Sequence, residues 1–296
     1  MDDLELTIQD FAADERVCGS HPSRLIPNLF PGYEGRVTSA ITTSNRLESR
    51  LLRQAGFAHA FFTRRGGVST GPYASLNFSS SVGDSTDNVA QNVAIAANVL
   101  GTQPSSIYFL SQVHGRDALL VTGSEDPARI LELRGDAVVT TSAGVACGVR
   151  SADCVPVLFG DRRTGMVAAA HAGWRGLVAG VLKATITKLR QCAGPGAELV
   201  AAIGPHISVD AFEVGPDVAA ELAALAPQSD VVRQGERGGP HVDLRAIARA
   251  ELRAEGLADA EIDDVFGCTV GDPQLFFSYR RDGPRSGRHL SAIVAR

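Results

Sequence analysis

The sequence lacks the signals that mark several large functional classes. It contains neither G-x-G-x-x-G nor G-x-x-x-x-G-K-[ST], so a dinucleotide fingerprint and a P-loop are both absent. No stretch approaches the roughly 18 uninterrupted apolar residues of a membrane-spanning helix. The most apolar region, Val167 to Leu182, is broken by His171, Trp174 and Arg175. There is no excess of basic residues: 28 Lys and Arg stand against 33 Asp and Glu, a net charge of −5. That balance argues against a nucleic-acid groove, while leaving room for a small anion held by a few local arginines. No C-x-x-C occurs, and the cysteines are odd in number: Cys18, Cys147, Cys154, Cys192 and Cys268. A chain of 296 residues buries a core without disulfide staples, so free thiols in a reducing, cytoplasmic setting are expected. The first ten residues, MDDLELTIQD, open acidic and do not read as a secretory signal.

What is present is a globular composition, 44% apolar and 21% charged. Residues 1–45 are weakly patterned and read as an N-terminal extension; residues 46–296 read as one catalytic domain. Within it, Ser44 is expected to cap a short helix through Arg53. Phe57–Phe62, Ile107–Val113, Asp117–Val121, Ala137–Thr140, Gly144–Arg150, Val155–Phe159, Val167–Ala170, Leu199–Ile203, Phe276–Tyr279 and Leu290–Val294 read as strands. Helices are expected from Asp84 to Leu100, after His171-Ala172-Gly173-Trp174 through Gln191, from Pro216 to Ala224, and from Leu244 behind an Asp243 cap. The runs 107–113 and 117–121 are too close for a helical crossover and are expected to pair antiparallel. The resulting class is α/β (α+β), a single compact domain with a mixed sheet and flanking helices.

Three residues with soft-metal chemistry, His114, Cys154 and His171, each sit at the edge of an apolar run. Their wide spacing excludes a zinc knuckle and suits a catalytic ion held by three ligands from separate strands, with a fourth position open. Spacing alone also admits a small buried thiol and two hydrogen-bonded core histidines. The turn His171-Ala172-Gly173-Trp174-Arg175-Gly176 adds small residues for close backbone approach at a helix start.

Several segments together resemble one family. They are Phe61-Phe62-Thr63-Arg64-Arg65-Gly66-Gly67-Val68-Ser69, Gln112-Val113-His114-Gly115, Ala152-Asp153-Cys154-Val155-Pro156-Val157, Ala170–Gly176, Gly204-Pro205, Phe212-Glu213-Val214-Gly215, Cys268-Thr269 and Phe277-Ser278-Tyr279-Arg280-Arg281. The family is that of the bacterial polyphenol oxidase or laccase-domain proteins, also called peptidoglycan editing factors, whose animal relatives are purine nucleoside enzymes of macrophages. The resemblance covers about residues 55–296. It implies a metal, zinc or alternatively copper, at His114, Cys154 and His171. It implies a fold similar to the catalytic domain of cytotoxic necrotizing factor, a cysteine hydrolase. It further implies phosphorolysis of adenosine, inosine and methylthioadenosine, with adenosine deamination. His206, where the family usually has a small residue, and Ala211-Phe212, where Cys-Tyr is common, depart from the pattern.

Under that resemblance the remaining candidates take roles. Asp153 is the candidate proton shuttle, or the residue that orients a ligand histidine; capping a turn is its bland alternative. Arg64 is the first candidate for phosphate and Arg175 the second. Asn77 is a candidate for ribose or base, and Gln112 for substrate binding or ligand orientation. Arg288 beside His289 resembles a rim position. Cys154 also admits a nucleophile's role in a hydrolase acting on peptidoglycan precursors, and a metal-binding scaffold without turnover is the third reading. A multicopper laccase site cannot be assembled from seven scattered histidines, so oxidase activity would need copper in the His/Cys/His site. The expected partners are a purine nucleoside and phosphate, with no nucleic acid or membrane, in a monomer or homodimer.

Overall fold

A computed structural model describes residues 41–43, 45–235 and 238–296. Ser44 and most of the expected extension 1–45 lie outside the described residues. The strands, in chain order, are β1 (Ile41–Thr43), β2 (Arg46–Glu48), β3 (His59–Phe62), β4 (Ile107–Tyr108), β5 (Ala118–Val121), β6 (Ala137–Thr140), β7 (Ala146–Ser151), β8 (Val155–Asp161), β9 (Val167–Ala172), β10 (Leu199–Ile203), β11 (Val232–Gln234), β12 (Pro240–Val242), β13 (Ile262–Asp264) and β14 (His289–Val294). The helices are α1 (Arg50–Gln54), α2 (Thr86–Leu100), α3 (Pro127–Glu132), α4 (Trp174–Ala179), α5 (Val181–Ala193), α6 (Pro216–Ala224), α7 (Leu244–Ala254) and α8 (Tyr279–Asp282).

The strands form two six-stranded sheets and a small hairpin, β11–β12. The first sheet runs β1-β2-β3-β14-β7-β4 and the second β13-β10-β8-β9-β6-β5. Both are mixed: β4 joins β7 in parallel, as do β5 to β6 and β13 to β10, while the other neighbours are antiparallel.

Side-chain alternation along the strands sorts the core into three layers of contact. Phe61, Cys147, Val149 and Ile293 of the first sheet meet Val138, Leu158, Val167, Ala169, Val200 and Ala202 of the second. The opposite face of the second sheet, with Val155, Val157, Phe159, Ala168 and Ala170, packs on Leu177, Leu182, Ile186, Leu222, Ile247 and Leu252 from α4 to α7. The outer face of the first sheet, with Ala60, Phe62, Ala146, Leu290 and Ala292, is covered by Ala96, Ala97 and Leu100 of α2 together with Leu76 and Phe78. The order is helix, sheet, sheet, helices. Burial on both faces explains why β8, Val-Pro-Val-Leu-Phe-Gly-Asp, is buried at every position and shows no polar alternation.

Four local expectations are corrected. The 107–113 and 117–121 segments do not pair, because β4 and β5 belong to different sheets. The stretch between them crosses from one sheet to the other, and Asp136 collects its main-chain N–H groups at residues 113 to 115. The first helix is capped by Ser49, whose side chain accepts from Leu52 N–H, and residues 46–48 are strand. The helix after His171 is two helices, since Gly180 at φ 84° ends α4 and begins α5. Phe276–Tyr279 is not a strand: Phe277 N–H donates to His289 Nε2, and Ser278 caps α8. Among the described residues no helix is long and apolar enough to cross a membrane.

Candidate metal centre

The second sheet and the crossing segment bring three ligand atoms together. The donor atoms of His114, Cys154 and His171 all lie within 4.8 Å of one another. His171 is the next-to-last residue of β9, and Cys154 immediately precedes β8. The register pairs Val155 with Ala172 and Pro156 with His171, which sets the two side by side. His114 arrives from the crossing segment, its ring 4.9 Å from that of His171 at 71°. His114 is exposed, Cys154 half-buried and His171 buried, so the cluster opens to solvent on the His114 side.

Asp136 holds this arrangement, and sequence reasoning missed it. Because Ala137 pairs with Ala170, the preceding residue falls opposite His171. Its main-chain carbonyl accepts His171 N–H at 2.7 Å, and its Oδ1 lies 2.9 Å from His171 Nδ1. The same carboxylate accepts the N–H groups of Val113 at 3.1 Å, His114 at 3.0 Å and Gly115 at 2.7 Å. Those bonds hold His114 at φ 58°, a left-handed conformation uncommon outside glycine. One buried carboxylate thus fixes one ligand's backbone and the other's ring, leaving Nε2 of His171 for the centre. The available signal was an acidic residue directly preceding the short, largely apolar strand Ala137–Thr140.

Gly173 follows from the same packing. A Cβ there would lie 2.8 Å from His114 Cδ2 and 2.9 Å from Cys154 Sγ, too close for any side chain. The His-Ala-Gly turn therefore needs glycine next to the ligands.

The electrostatics pair Cys154 with His171. Burial pushes the Cys154 thiol up, but the charge of His171 and hydrogen bonds to both histidines outweigh it and bring it down to about 6. Burial pulls His171 down, while Cys154 and Asp136 outweigh that and raise it to about 9. Each of the two thus favours the charged form of the other.

None of the other expected site residues joins this cluster. Asp153, at φ 97°, accepts from Thr269 Oγ1 at 2.5 Å and from Arg280 N–H at 2.6 Å, so it ties two loops to the Cys154 turn. Orienting a ligand histidine falls to Asp136. Arg64 donates to the carbonyls of Ala74 and Pro273 and stacks over Phe277 at 4.5 Å. Arg175 is exposed over Trp174 at 4.4 Å. Gln112 clamps the main chain of Arg150, donating to its carbonyl and accepting its N–H, both at 2.7 Å. Asn77 is buried, donates to Ser79 O and Asp84, and accepts Arg288 N–H at 2.8 Å. His206 is buried with Nδ1 on Gly204 O, and Phe212 lies under Arg280 at 5.5 Å.

Two nitrogens and one sulfur from three segments could hold one metal ion. They do not fit a multicopper arrangement. Among the described residues His59, His206, His241 and His289 each spend a ring nitrogen on a main-chain carbonyl. Only His114 and His171, among the described residues, gather with a cysteine.

The family model described as multi-copper polyphenol oxidoreductase laccase matches residues 58–296. The purine nucleoside phosphorylase YfiH of Escherichia coli is 38% identical over 244 residues, 80% of this chain and 93% of that protein. The purine nucleoside phosphorylase PA4543 of Pseudomonas aeruginosa is 42% identical over 233 residues, 78% of this chain and 90% of that protein. The crystal structure of YlmD from Geobacillus stearothermophilus superposes with a TM-score of 0.79 at 31% identity, covering 86% of this chain and 98% of that one. With the family model matching residues 58–296 of its 296, this chain belongs to the multi-copper polyphenol oxidoreductase laccase family.

Proposed function

We propose that the protein is a metal-dependent purine nucleoside phosphorylase, with residues 46–296 as its catalytic domain. It cleaves adenosine, inosine and methylthioadenosine to the free base and ribose 1-phosphate or methylthioribose 1-phosphate, and also deaminates adenosine. The observation that carries this reading is the convergence of His114, Cys154 and His171 on Asp136, in a chain whose relatives are named purine nucleoside phosphorylases. The donor set suits zinc, with copper as a competitor for the thiolate and imidazoles. When bound, zinc supplies Lewis-acid activation and local positive charge.

The chain's own residues do the rest. Asp136 keeps the proton on Nδ1 of His171, and so presents Nε2 to the centre. Asp153, through Thr269 and the Arg280 N–H, fixes the turn that carries Cys154. The open side at His114 admits the nucleoside. Purified protein incubated with adenosine and inorganic phosphate is expected to yield adenine and ribose 1-phosphate, and Cys154→Ala to abolish both. Full phosphorolysis by Cys154→Ala would refute the reading.

A second reading rests on one observation. Cys154, His171 and Asp136 stand in the order of a cysteine hydrolase's nucleophile, base and orienting acid, with the thiol down at about 6. In that reading the chain cleaves an amide in a peptidoglycan precursor. A thiolate engaged by metal is a poor nucleophile, so iodoacetamide separates the two. Rapid alkylation of Cys154 in protein as purified favours the hydrolase; protection until a chelator is added favours the phosphorylase.

A further inference from the structure

Two partly buried arginines on one face of the first sheet, one of them (Arg288) within electrostatic reach of Cys154, have no carboxylate ion-pair partner among the described residues. Arg150 lies in β7 and Arg288 immediately precedes β14. The register pairs Arg150 with Leu290 and Ser151 with His289, which puts Arg150 and Arg288 diagonally across one face of the sheet. Long side chains reach one another across such a diagonal. Arg150 donates Nη2 to Leu110 O at 3.1 Å and lies over the Phe109 ring at 4.8 Å. Arg288 donates Nη1 to Ser286 O at 2.6 Å and Gly287 O at 3.1 Å, and lies over Tyr279 at 5.6 Å. Their remaining guanidinium N–H groups carry no protein partner among the described residues.

Both positions are held from behind. The Gln112 amide grips the Arg150 main chain at both ends, and Asn77 Oδ1 accepts the Arg288 N–H. The two amides singled out in the sequence thus brace the two cations. Burial pulls Arg150 down to about 10, and the charge of Arg288 adds to the effect. Arg288 is also lowered by burial, against the pull of Cys154, Asp153 and Tyr279, which places it beside the centre. The Asp153 carboxylate is already engaged by Thr269 and the Arg280 N–H. Two braced cations of like sign, each with free donors, make an incomplete arrangement that an anion completes.

We propose that Arg150 and Arg288 form the phosphate subsite, binding inorganic phosphate as the attacking co-substrate. The assignment rests on the phosphorylase reading above and moves the anion from Arg64 and Arg175 to this pair. In the reaction a phosphate oxygen forms a bond to C1′ as the C1′–N9 bond breaks. The purine leaves with the bonding electrons and collects the proton that phosphate gives up. The two guanidinium groups hold the phosphate dianion in place and neutralise its charge during the attack.

The test is calorimetric titration of the full-length, metal-loaded protein with inorganic phosphate, alongside the phosphate and adenosine dependence of turnover. Arg288→Gln and Arg150→Gln are expected to weaken phosphate binding at least tenfold while changing the KM for adenosine less than twofold. Arg288→Lys is expected to recover part of the loss, and the exposed Arg129→Gln to change nothing. Should Arg150→Gln fail to fold, Arg288→Gln and Arg288→Lys carry the test. Phosphate affinity within twofold of the parent in folded Arg288→Gln overturns the proposal. So does adenosine 5′-monophosphate binding tenfold tighter than adenosine with that advantage lost in Arg288→Gln, since the pair would then serve a nucleotide's phosphate. Phosphate binding that depends on both arginines, with no nucleoside cleavage, would sustain the subsite and reject the phosphorylase reading instead.

Discussion

Asp136 Oδ1 lies 2.9 Å from His171 Nδ1, and the same oxygen accepts the main-chain N–H of His114 at 3.0 Å. One side chain therefore sets the tautomer of one ligand and the backbone of the other. Asp136→Asn puts an N–H or a weaker acceptor where both bonds need a carboxylate oxygen. Metal affinity is expected to fall about 10- to 100-fold, with activity lost in parallel. Competition against a chromophoric chelator measures it; unchanged affinity would show that the bond is incidental.

Gly173 makes a second, steric prediction. A Cβ added there would lie 2.8 Å from His114 Cδ2 and 2.9 Å from Cys154 Sγ. Gly173→Ala must displace one ligand or the other, at a cost of about 1–3 kcal/mol. Metal affinity and turnover are expected to drop at least tenfold while the circular dichroism spectrum is retained. Parent-like metal affinity in this variant would mean that the turn has room.

Stability is expected to fall in mild acid because of two histidines away from the ligands. Burial, with Arg245 nearby, takes His206 down to about 3; burial, with neighbouring arginines, does the same to His289. An unfolded histidine takes a proton near pH 6.5. Between pH 6.5 and 3 the unfolded chain therefore holds more protons than the folded one, and stability declines as pH falls through that window. Urea midpoints at pH 6.5 and 4.5 test the sign; an equal or higher midpoint at 4.5 contradicts it.

Glu251 acts in the opposite direction. Its Oε2 is buried with no hydrogen-bond partner, and burial, reinforced by Glu255, raises the group to about 8. The folded state holds this proton where the unfolded chain has lost it, so the group costs stability as pH rises from about 4.5 through 8. Glu251→Gln is expected to gain about 1–2 kcal/mol at pH 8.5 and little at pH 4. A loss at pH 8.5 in chemical denaturation would refute it.

Local chemistry made much of the fold legible. Leu199–Ile203 and Pro216–Ala224 appear at their expected bounds, one as an apolar run and the other with Pro at its first turn. Asp243 caps α7 as expected. His114, Cys154 and His171, which the fold gathers, stood out in the sequence because each sits at the edge of an apolar run, and the family resemblance joined them. The two-sheet layering was not, since strands buried on both faces show no alternation to reveal which sheet they join. Asp136 was hidden because its partner, His171, is 35 residues away and meets it only through the β6–β9 register. Arg288 stood out as a rim position, but its pairing with Arg150 was hidden for a similar reason, being created by the register of β7 with β14.

The most direct test is metal analysis of protein purified without added metal, compared with Cys154→Ala. About one equivalent of zinc per chain is expected in the parent, with almost none in the folded variant. A Cys154→Ala protein that keeps its metal and still releases adenine from adenosine would contradict the assignment of the centre to His114, Cys154 and His171.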